Sequence, residues 1–433
     1  MMLMLFTIGV LLYTLGISIA ALFGNAKAKL LIQGRLRQMK EFRVRRRAKL
    51  PLPTGDGDWI WFHAASLGEF EQGRPVIEAI KKEYPQYRIL LSFFSPSGYE
   101  VRKNYPLADE VLYLPSDTAL NAKKWLRRHH FVAAFFIKYD FWFNYMRALK
   151  KADIPLFYIS LIFKPNSFFF KPYGYWFRKQ LRTVTHFFVQ DETTAALLHE
   201  HGFDNYTVCG DTRFDRVAAI ARQAKPFPEI ETFINGRRCI IAGSTWPPDE
   251  KLMTAFYPKM PDDYCLIIAP HDISQSHINQ IRTAFPEAVL YSEWSAQGHT
   301  EAQPSASVGR NILIVNTIGI LSQLYQYARF VYIGGGFGVN IHNIQEPVTF
   351  GCPVVFGPKY TDFMEAVDLV RLQGAFSVSD AAQLEEIFTR LMNDEAFYAQ
   401  ASETCKTYLA SQVGATEKIM QGFKNILFSQ KTA

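Results

Sequence analysis

The sequence predicts an α/β protein in which two doubly wound parallel-sheet domains follow an N-terminal transmembrane helix. From Trp59 onward, short apolar runs alternate with amphipathic segments, in two series that are separated by a break at residues 218–236. Runs that are apolar at every position are typical of parallel strands covered by helices on both faces. The length of 433 residues and the hydrophobic content of 48% are sufficient for two such cores, and they argue against a disordered chain.

The membrane helix is predicted at residues 1–23, which contain no charged side chain. Roughly 20 apolar residues, each rising about 1.5 Å along a helix, span the hydrocarbon core of a bilayer. A cleavable signal peptide is the alternative. However, no basic region precedes the apolar run and no A-x-A site precedes Lys27. We therefore predict an uncleaved anchor.

The positive charge of the chain is concentrated in residues 24–50, directly after the anchor. Ten Lys or Arg residues and one acid, Glu41, lie between Lys27 and Lys49, which leaves the other 410 residues with a net charge of about −2. A basic cluster beside an anchor is typical of a cytoplasmic segment that binds anionic lipid headgroups. Because the charge is local, it argues against nucleic acid as a partner, and it predicts domains on the cytoplasmic side of the inner membrane.

The first domain is predicted at 51–217, the linker at 218–236 and the second domain at 237–411. The predicted strands of the first domain are WIWFHAAS, RILLSFFS, EVLYLPS, FVAAFFIKYD, PLFYISLIF and HFFVQDE. Those of the second are RCIIAGST, YCLIIAPHD, AVLYSE, NILIVNT, FVYIGGG and PVVFGP. Residues 412–433 hold a helix that can pack back across the first domain. Since ligands of doubly wound sheets bind at the carboxyl ends of strands, we expect the site in a cleft between the domains.

The five cysteines are widely scattered, at positions Cys209, Cys239, Cys265, Cys352 and Cys405. None has the paired spacing of a disulfide framework or a zinc site. The pattern favours reduced, buried thiols, as expected in a cytosolic compartment.

Glu69 is the candidate general base of the first domain. It follows Gly68 at the start of a predicted helix, where the first strand ends. A carboxylate in this position can deprotonate an attacking hydroxyl if burial or a nearby anion raises its pKa. The alternative is that Glu69 only complements the helix N-terminus. For His63, in the first predicted strand, a local hydrogen bond is the favoured interpretation over a role as base.

A glycine turn in the second domain, Gly334, Gly335 and Gly336, is the candidate phosphate site. Glycines let backbone amides approach an anion closely, and a helix start follows at Glu346. Neither G-x-G-x-x-G nor a P-loop motif is present. Ser244 and Thr245 end another strand of this domain and can bind phosphate oxygens, while Glu346 can accept from ribose hydroxyls. The alternative is a turn that only lets a helix pack tightly on the sheet.

Residues 167–179, SFFFKPYGYWFRK, combine seven aromatic and three basic side chains. This mixture is typical of a patch that dips into the lipid headgroup region, with Phe169 and Trp176 as membrane contacts. A buried aromatic lid of the first domain is the alternative.

Taken together, the anchor and three motifs resemble the 3-deoxy-D-manno-octulosonic acid (Kdo) transferases of lipopolysaccharide and lipid A synthesis. The motifs are HAASLGE after the first strand, AGST at the start of the second domain, and HNIQEPVTFGCPVVFGP near its end. The resemblance runs from about Trp59 to Ala375. It implies a GT-B fold, in which two Rossmann-like domains face a central cleft, and an inverting transfer of Kdo from CMP-Kdo to a lipid A precursor without metal or other cofactor.

The resemblance also assigns roles to individual residues. Glu69 matches the general base, and Asp140 in KYDFWFN stands where the family has a glutamate. In the donor site, the chain matches family motifs but departs from them: His271 follows Pro270 where the family has arginine, and Ile320 ends Ile318-Gly319-Ile320 where the family has glutamate. Matched donor positions are Asn343, Ile344, Gln345 and Glu346, and Arg213 in GDTRFD occupies a usual lysine position.

Three other functions remain compatible with these observations. A membrane-associated transferase that uses a UDP-sugar is the nearest, because the donor-site arginine and glutamate are missing. The second is a sugar-nucleotide 2-epimerase with a similar two-domain fold. The third is a tethered protein without enzymatic activity, since fold alone does not determine function.

Overall fold

The computed structural model of the protein describes residues 2–47, 57–296 and 311–429. The chain forms two compact units. The first runs to Asp215 and is completed by the chain from Val413 onward, and the second comprises Arg216–Gln412. The boundary predicted between the basic segment and the first domain, at 50 and 51, lies outside the described residues, as do residues 430–433 of the predicted last helix.

The first unit is a parallel α/β domain preceded by two helices. Its strands are β1 (Asp58–Ala64), β2 (Arg88–Phe93), β3 (Glu110–Tyr113), β4 (His130–Ile137), β5 (Leu156–Leu161), β6 (His186–Val189) and β7 (Tyr206–Val208). Its helices are α1 (Met2–Leu22), α2 (Ala26–Arg47), α3 (Leu67–Glu83), α4 (Pro96–Arg102), α5 (Ala119–Leu126), α6 (Phe143–Lys151), α7 (Tyr175–Leu181) and α8 (Glu192–Glu200), while α9 (Thr212–Arg222) begins in the first unit and continues into the second.

The seven strands of this sheet run in the order β3-β2-β1-β4-β5-β6-β7, and each neighbouring pair is parallel. A central first strand with the chain winding outward in both directions is the doubly wound arrangement. Two hydrophobic clusters cover the two faces: Trp61 points to one and Phe62 to the other. The six predicted strands are confirmed. The three-residue β7 escaped prediction because its side chains are only half-buried.

The second unit repeats this architecture. Its strands are β8 (Arg238–Thr245), β9 (Tyr264–Pro270), β10 (Val289–Leu290), β11 (Ile312–Ile314), β12 (Ala328–Ile333), β13 (Val354–Phe356) and β14 (Ala375–Ser377). Its helices are α10 (Pro228–Ile234), α11 (Pro247–Phe256), α12 (Gln275–Ala284), α13 (Tyr291–Ala296), α14 (Leu321–Leu324), α15 (Gln345–Thr349), α16 (Met364–Arg371), α17 (Ala381–Asn393) and α18 (Glu395–Gln412).

The sheet of the second unit has the order β10-β11-β9-β8-β12-β13-β14, again fully parallel. The two parallel α/β domains predicted from the sequence are therefore confirmed. At the carboxyl edge, β8, β9 and β12 are adjacent, so the segments that follow Thr245, Pro270 and Ile333 share one edge of the sheet. The last helix, α19 (Ala415–Ser429), belongs to the first unit, where Ile419 and Phe423 are buried in its core.

The basic segment after the predicted anchor is helix α2, and specific contacts attach it to the rest of the first unit. The side-chain amide of Gln38 donates to the carbonyl of Tyr113 (3.0 Å) and accepts from the Tyr113 backbone nitrogen (2.9 Å). Gln38 thereby continues the hydrogen bonding of the edge strand β3. Arg35 donates to the carbonyl of Leu114 (2.8 Å), and Leu31 is buried. Among the α2 side chains that the structure describes, up to residue 44, the exposed basic ones are Lys27, Lys29, Arg37, Lys40 and Arg43.

Helix α1 has the length and composition of a membrane span: 21 residues with a mean hydropathy of 2.2. One side of it contacts the rest of the first unit. Thr14 Oγ1 lies 3.0 Å from Ser116 Oγ, and the ring of Phe6 packs edge-on against Phe143 with centroids 4.9 Å apart. The other side exposes large apolar side chains such as Leu12 and Leu15.

Candidate active site

Glu69 caps helix α3. Ser66 is the N-cap residue, and the backbone nitrogens of Ala65 and Ser66 donate to Glu69 Oε2 at 2.5 and 3.2 Å. This reciprocal arrangement is a capping box. Burial, which disfavours the charged form, and then the nearby carboxylate of Asp140 raise the pKa of Glu69 to about 7; the two backbone hydrogen bonds and Lys138 act in the opposite direction. Glu69 is thus both a cap and a carboxylate able to exchange a proton near neutral pH.

Asp140 lies after β4, at the same sheet edge as Glu69. Its Oδ2 accepts hydrogen bonds from Trp142 Nε1 (3.0 Å) and faces His63 Nε2 (3.1 Å). Two residues earlier, Lys138 adopts a φ of 60°, a left-handed conformation that is unfavourable for a residue with a side chain. Such strain is concentrated at functional sites, and here it marks the strand end that carries Asp140. Glu71, a second carboxylate near the start of α3, forms an ion pair with Arg102 (2.7 Å).

A cavity of about 190 Å³ opens beside Asp140. Helix α1 forms one wall, and the loops that follow β2, β3 and β4 form the others. The lining residues are Phe6, Val10, Tyr13, Thr14, Phe94, Ser116, Asp117, Asp140, Phe141 and Trp142. Most of these side chains are apolar, so the cavity suits the apolar part of a ligand whose polar end reaches Asp140. Burial raises the pKa of Asp117 to about 7, although backbone hydrogen bonds from Asn144 and Tyr145 oppose the shift.

The aromatic segment 167–179 divides between the core and the surface. Phe169 is only 2% exposed and packs against Phe141, with ring centroids 4.6 Å apart. Trp176 is half-buried between Phe143 and Phe6. Phe169 and Trp176, the two contacts predicted for a membrane surface, therefore face the protein. The side chains of the segment that do face outward include Tyr173 and Tyr175, at 73% and 68% exposure.

The glycine turn of the second unit is shaped by close backbone contacts. A Cβ on Gly334 would lie 2.3 Å from the carbonyl oxygen of Ser244, and one on Gly336 would lie 2.7 Å from the backbone of Gly357. Gly335 has a φ of +94°. The amides of Gly334 and Gly335 already donate to the Gly243 carbonyl and to Asp249 Oδ2, each at 2.9 Å. The glycines thus bring strand ends together, and two of their amides have partners within the fold.

Asp249, on the first turn of α11, connects the ends of β8 and β12. It is 1% exposed. Oδ2 accepts from the backbone nitrogens of Trp246 and Gly335, both at 2.9 Å, and Oδ1 accepts from the hydroxyl of Tyr332 at 2.7 Å. The sequence analysis did not single out this residue. An acidic residue four positions after a strand end, behind two prolines, is the signal that points to it.

Ser244 and Thr245 differ in their surroundings. Ser244 is half-buried with a φ of 52°. The hydroxyl of Thr245 is buried and donates to Glu250 Oε1 (3.0 Å), whose other oxygen lies 2.9 Å from His277 Nε2. Only Ser244 of this pair is partly accessible, and Thr245 supports α11 and α12.

Three nearly parallel rings meet at this edge. Trp246 and His342 lie side by side at an interplanar angle of 13°, and the indole Nε1 donates to His342 Nε2 at 3.0 Å. His271 stacks on both, with centroids 4.7 Å from Trp246 and 4.5 Å from His342. Burial and His271 lower the pKa of His342 below its ordinary value of 6.5. Pro270, the residue before His271, is buried and is the last residue of β9. The trio of Trp246, His271 and His342 was not predicted as a unit, because its members are remote in sequence.

The loop before α15 holds the predicted donor residues. Asn343 Nδ2 donates to Glu346 Oε1 (3.1 Å), and burial raises the pKa of Glu346. Ile344 is buried. Gln345 is also buried, where its amide donates to Glu365 Oε1 (3.0 Å). Asn343 and Glu346 are therefore the members of this loop with accessible polar atoms.

Ile318, Gly319, Ile320 and Arg213 are the other residues predicted for the donor site. Ile318 is 85% exposed, and Gly319 has a φ of +95° in the turn that Ile320 completes. Arg213 belongs to the first unit, where its guanidinium forms an ion pair with Asp211 (2.6 Å).

Within the described residues there is no group of three or more His, Cys, Asp and Glu side chains placed to hold a metal ion. All five cysteines are buried free thiols, as predicted.

The chain is similar to known transferases. Residues 33–216 match the family model of 3-deoxy-D-manno-octulosonic-acid transferase (kdotransferase). The chain is 25% identical over 399 residues to the 3-deoxy-D-manno-octulosonic acid transferase of Chlamydophila psittaci, covering 90% of each protein. It is 24% identical to the enzyme of that name from Bordetella pertussis, covering 88% of this chain and 90% of the relative. The chain is a glycosyltransferase related to the Kdo transferases.

This glycosyltransferase also has structural neighbours of other activity. UDP-GlcNAc 2-epimerase from Neisseria meningitidis, solved with UDP-GlcNAc, aligns with a TM-score of 0.59 over 86% of this chain and 100% of the epimerase, at 14% identity. At that identity the likeness concerns the fold alone, two parallel-sheet domains of the GT-B type. The fold is shared with the epimerases, whereas the sequence similarity over about nine-tenths of the chain is to transferases.

Proposed function

We propose that the protein transfers Kdo from CMP-Kdo to a lipid A precursor, with inversion at the anomeric carbon, at the cytoplasmic face of the inner membrane. The observation that carries the proposal is Glu69: a buried carboxylate with a pKa of about 7, at a strand end, in the position that matches the family's general base. The similarity to Kdo transferases over about nine-tenths of the chain supports the choice of donor and acceptor.

In this reaction Glu69 takes the proton of the acceptor hydroxyl. The hydroxyl oxygen forms a bond to the anomeric carbon of Kdo while the bond from that carbon to the CMP phosphate breaks, and CMP leaves with the electron pair. A base with a pKa near the operating pH is effective in this role, because about half of it is deprotonated before the reaction and it is still basic enough to accept a proton. The leaving phosphate requires positive charge or hydrogen-bond donors, and we assign these to protein groups without a metal ion.

The acceptor belongs to the first unit in this proposal. The cavity beside Asp140 is lined by apolar side chains of α1 and adjoining loops, so it can receive the apolar part of a lipid whose sugar approaches Glu69. Helix α1 would hold the enzyme in the bilayer that supplies this lipid. The five exposed basic side chains of α2 would bind anionic headgroups next to it.

The donor belongs to the second unit. His271, Ser244, Asn343 and Glu346 offer polar atoms at the carboxyl ends of its strands, which is where ligands of doubly wound sheets bind. Glu346 is the candidate ligand for the ribose hydroxyls. His271, which stacks on Trp246 and His342, stands at the position where the family has an arginine.

The deciding experiment incubates the detergent-solubilised full-length protein with radiolabelled CMP-Kdo and a tetraacylated lipid A precursor. Labelled lipid is the expected product, and it should form equally in EDTA. Transfer from a UDP-sugar in place of CMP-Kdo would overturn the donor assignment. Glu69→Gln should lose turnover while retaining CMP binding; full turnover of that variant would remove Glu69 from the mechanism.

A further inference from the structure

A chain of hydrogen bonds runs behind Asp140, through the sheet of the first unit. Trp61 Nε1 donates to Ser92 Oγ (2.7 Å), Ser92 Oγ lies 2.8 Å from His63 Nδ1, and His63 Nε2 lies 3.1 Å from Asp140 Oδ2. Trp61 and His63 are on β1, and Ser92 is on β2. His63 and Ser92 are fully buried, so they cannot touch a substrate.

The positions of the protons follow from what each group can donate. A carboxylate only accepts, so the proton of a neutral His63 lies on Nε2, which donates to Asp140. Nδ1 is then an acceptor. The Ser92 hydroxyl has one proton and two neighbours that can accept it, His63 Nδ1 at 2.8 Å and the Phe62 carbonyl at 3.3 Å. The shorter contact completes a chain in which every donor has an acceptor: Trp61 to Ser92, Ser92 to His63, His63 to Asp140.

His63 is the contact that ties the Asp140 carboxylate to the sheet. The other donor to that oxygen, Trp142, is only two residues away on the same loop and moves with it. The hydroxyl of Tyr158 on β5 holds the loop through the backbone carbonyl of Asp140 (3.0 Å), which leaves the side chain free to rotate. His63 itself is clamped by edge-on ring contacts with Phe136 and Trp142.

We propose that His63 is a positioning residue for the transfer reaction: fixed by Ser92, it holds the Asp140 carboxylate at the edge of the sheet where the neighbouring strand β1 leads to Glu69. The inference rests on the proposed function, in which Glu69 is the base. The charged groups that act on Glu69 are Asp140 and Lys138, both on the loop that follows β4. If His63 is lost, Asp140 is no longer held, its negative charge moves away from Glu69, and Glu69 becomes more acidic.

The test compares His63→Phe with His129→Phe in the full-length protein. His129 is a matched control, because it is also a buried histidine beside a carboxylate, Glu110 (2.8 Å), but stacks on Trp59 at the opposite end of β1. The measurement is kcat and KM for CMP-Kdo as a function of pH. His63→Phe should move the acidic limb of the kcat profile down by about one pH unit, the shift expected when a nearby like charge is lost. KM should stay within about twofold.

His63→Gln retains a donor toward Asp140 and should restore the limb partway to its wild-type position, while His129→Phe should leave it in place. An unchanged limb in folded His63→Phe, or an equal displacement in His129→Phe, would overturn the inference. If His63→Phe does not fold, Ser92→Ala decides the question: the limb should still move downward, and an unmoved limb refutes the proposal. Absence of Kdo transfer by the wild-type protein would instead refute the proposed function.

Discussion

The indole nitrogen of Trp246 donates a hydrogen bond to Nε2 of His342, 3.0 Å away, and His271 covers both rings. The bond requires an unprotonated Nε2. Burial and the neighbouring His271 lower the pKa of His342, which favours the neutral ring that this bond requires, with its proton on Nδ1. The arrangement joins the segments that follow β8, β9 and β12 into one unit.

Trp246→Phe should weaken CMP binding without unfolding the protein. Phenylalanine keeps a ring for stacking but loses the hydrogen bond that aligns His342. A lost hydrogen bond of about 1 kcal/mol corresponds to roughly a fivefold weaker dissociation constant, measurable by titration calorimetry. Tyr257→Phe, in the same unit after α11, is the control and should bind as the wild type. Equal affinity of wild type and Trp246→Phe would exclude the three rings from the nucleotide site.

The turnover number should depend on pH through Glu69. Its pKa of about 7 means that the carboxylate needed for proton abstraction is lost as the pH falls below that value. We expect kcat to be constant above about pH 8 and to fall tenfold per pH unit well below 7. Asp140→Asn removes the negative charge that helps to raise this pKa, so the acidic limb of the kcat profile should move to lower pH. A limb that stays near 7 in Asp140→Asn would show that burial alone sets the proton affinity.

Glu69→Gln should stabilise the protein at high pH. The pKa of Glu69 is raised from an ordinary value of 4.5 to about 7, so the folded state binds a proton more tightly than the unfolded state between these values. Stability is therefore lost as the pH rises from 4.5 to 7, and the cost is fully present above 7. A glutamine oxygen can still accept from Ala65 and Ser66.

The measurement for this prediction is the melting temperature. Glu69→Gln should melt higher than the wild type at pH 8, and the difference should shrink toward pH 4.5. Glu83→Gln, an exposed position at the end of the same helix, is the control. A constant difference at all pH values would mean that Glu69 is not the titrating group.

The outward-facing tyrosines of residues 167–179 should contribute to membrane binding. In a protein lacking residues 1–23, Tyr173→Ala combined with Tyr175→Ala is expected to reduce association with anionic liposomes, because both side chains are largely exposed. Phe169→Ala should instead lower the free energy of unfolding by about 3 to 5 kcal/mol, as expected for the loss of a large buried ring. The liposome affinity of the folded fraction should be unchanged. Unchanged association of the double tyrosine variant would favour a purely structural role for this segment.

Several features of the fold could be predicted from local sequence. The apolar runs from Trp59 to Pro358 are strands, because a strand covered on both faces has to be apolar at every position. The glycines at 334 and 336 were predicted to form a turn. Glycine is required there because the backbone comes close to Ser244 and Gly357, which are far away in sequence. Short, half-buried strands such as β7 lack this signal.

The sequence by itself determined the two parallel-sheet domains, the apolar first helix, the reduced cysteines and the candidacy of Glu69, because each depends on composition or on residues a few positions apart. The tertiary structure decided which side chains contact each other in the candidate site. Only in three dimensions do Asp140 and Glu69 come close enough to shift a pKa, and only there does burial raise the pKa of the Glu69 carboxyl to about 7. Likewise, Trp246 and His342 are 96 positions apart along the chain. Such contacts arise because parallel strands bring their carboxyl ends to one edge, whatever their separation in sequence.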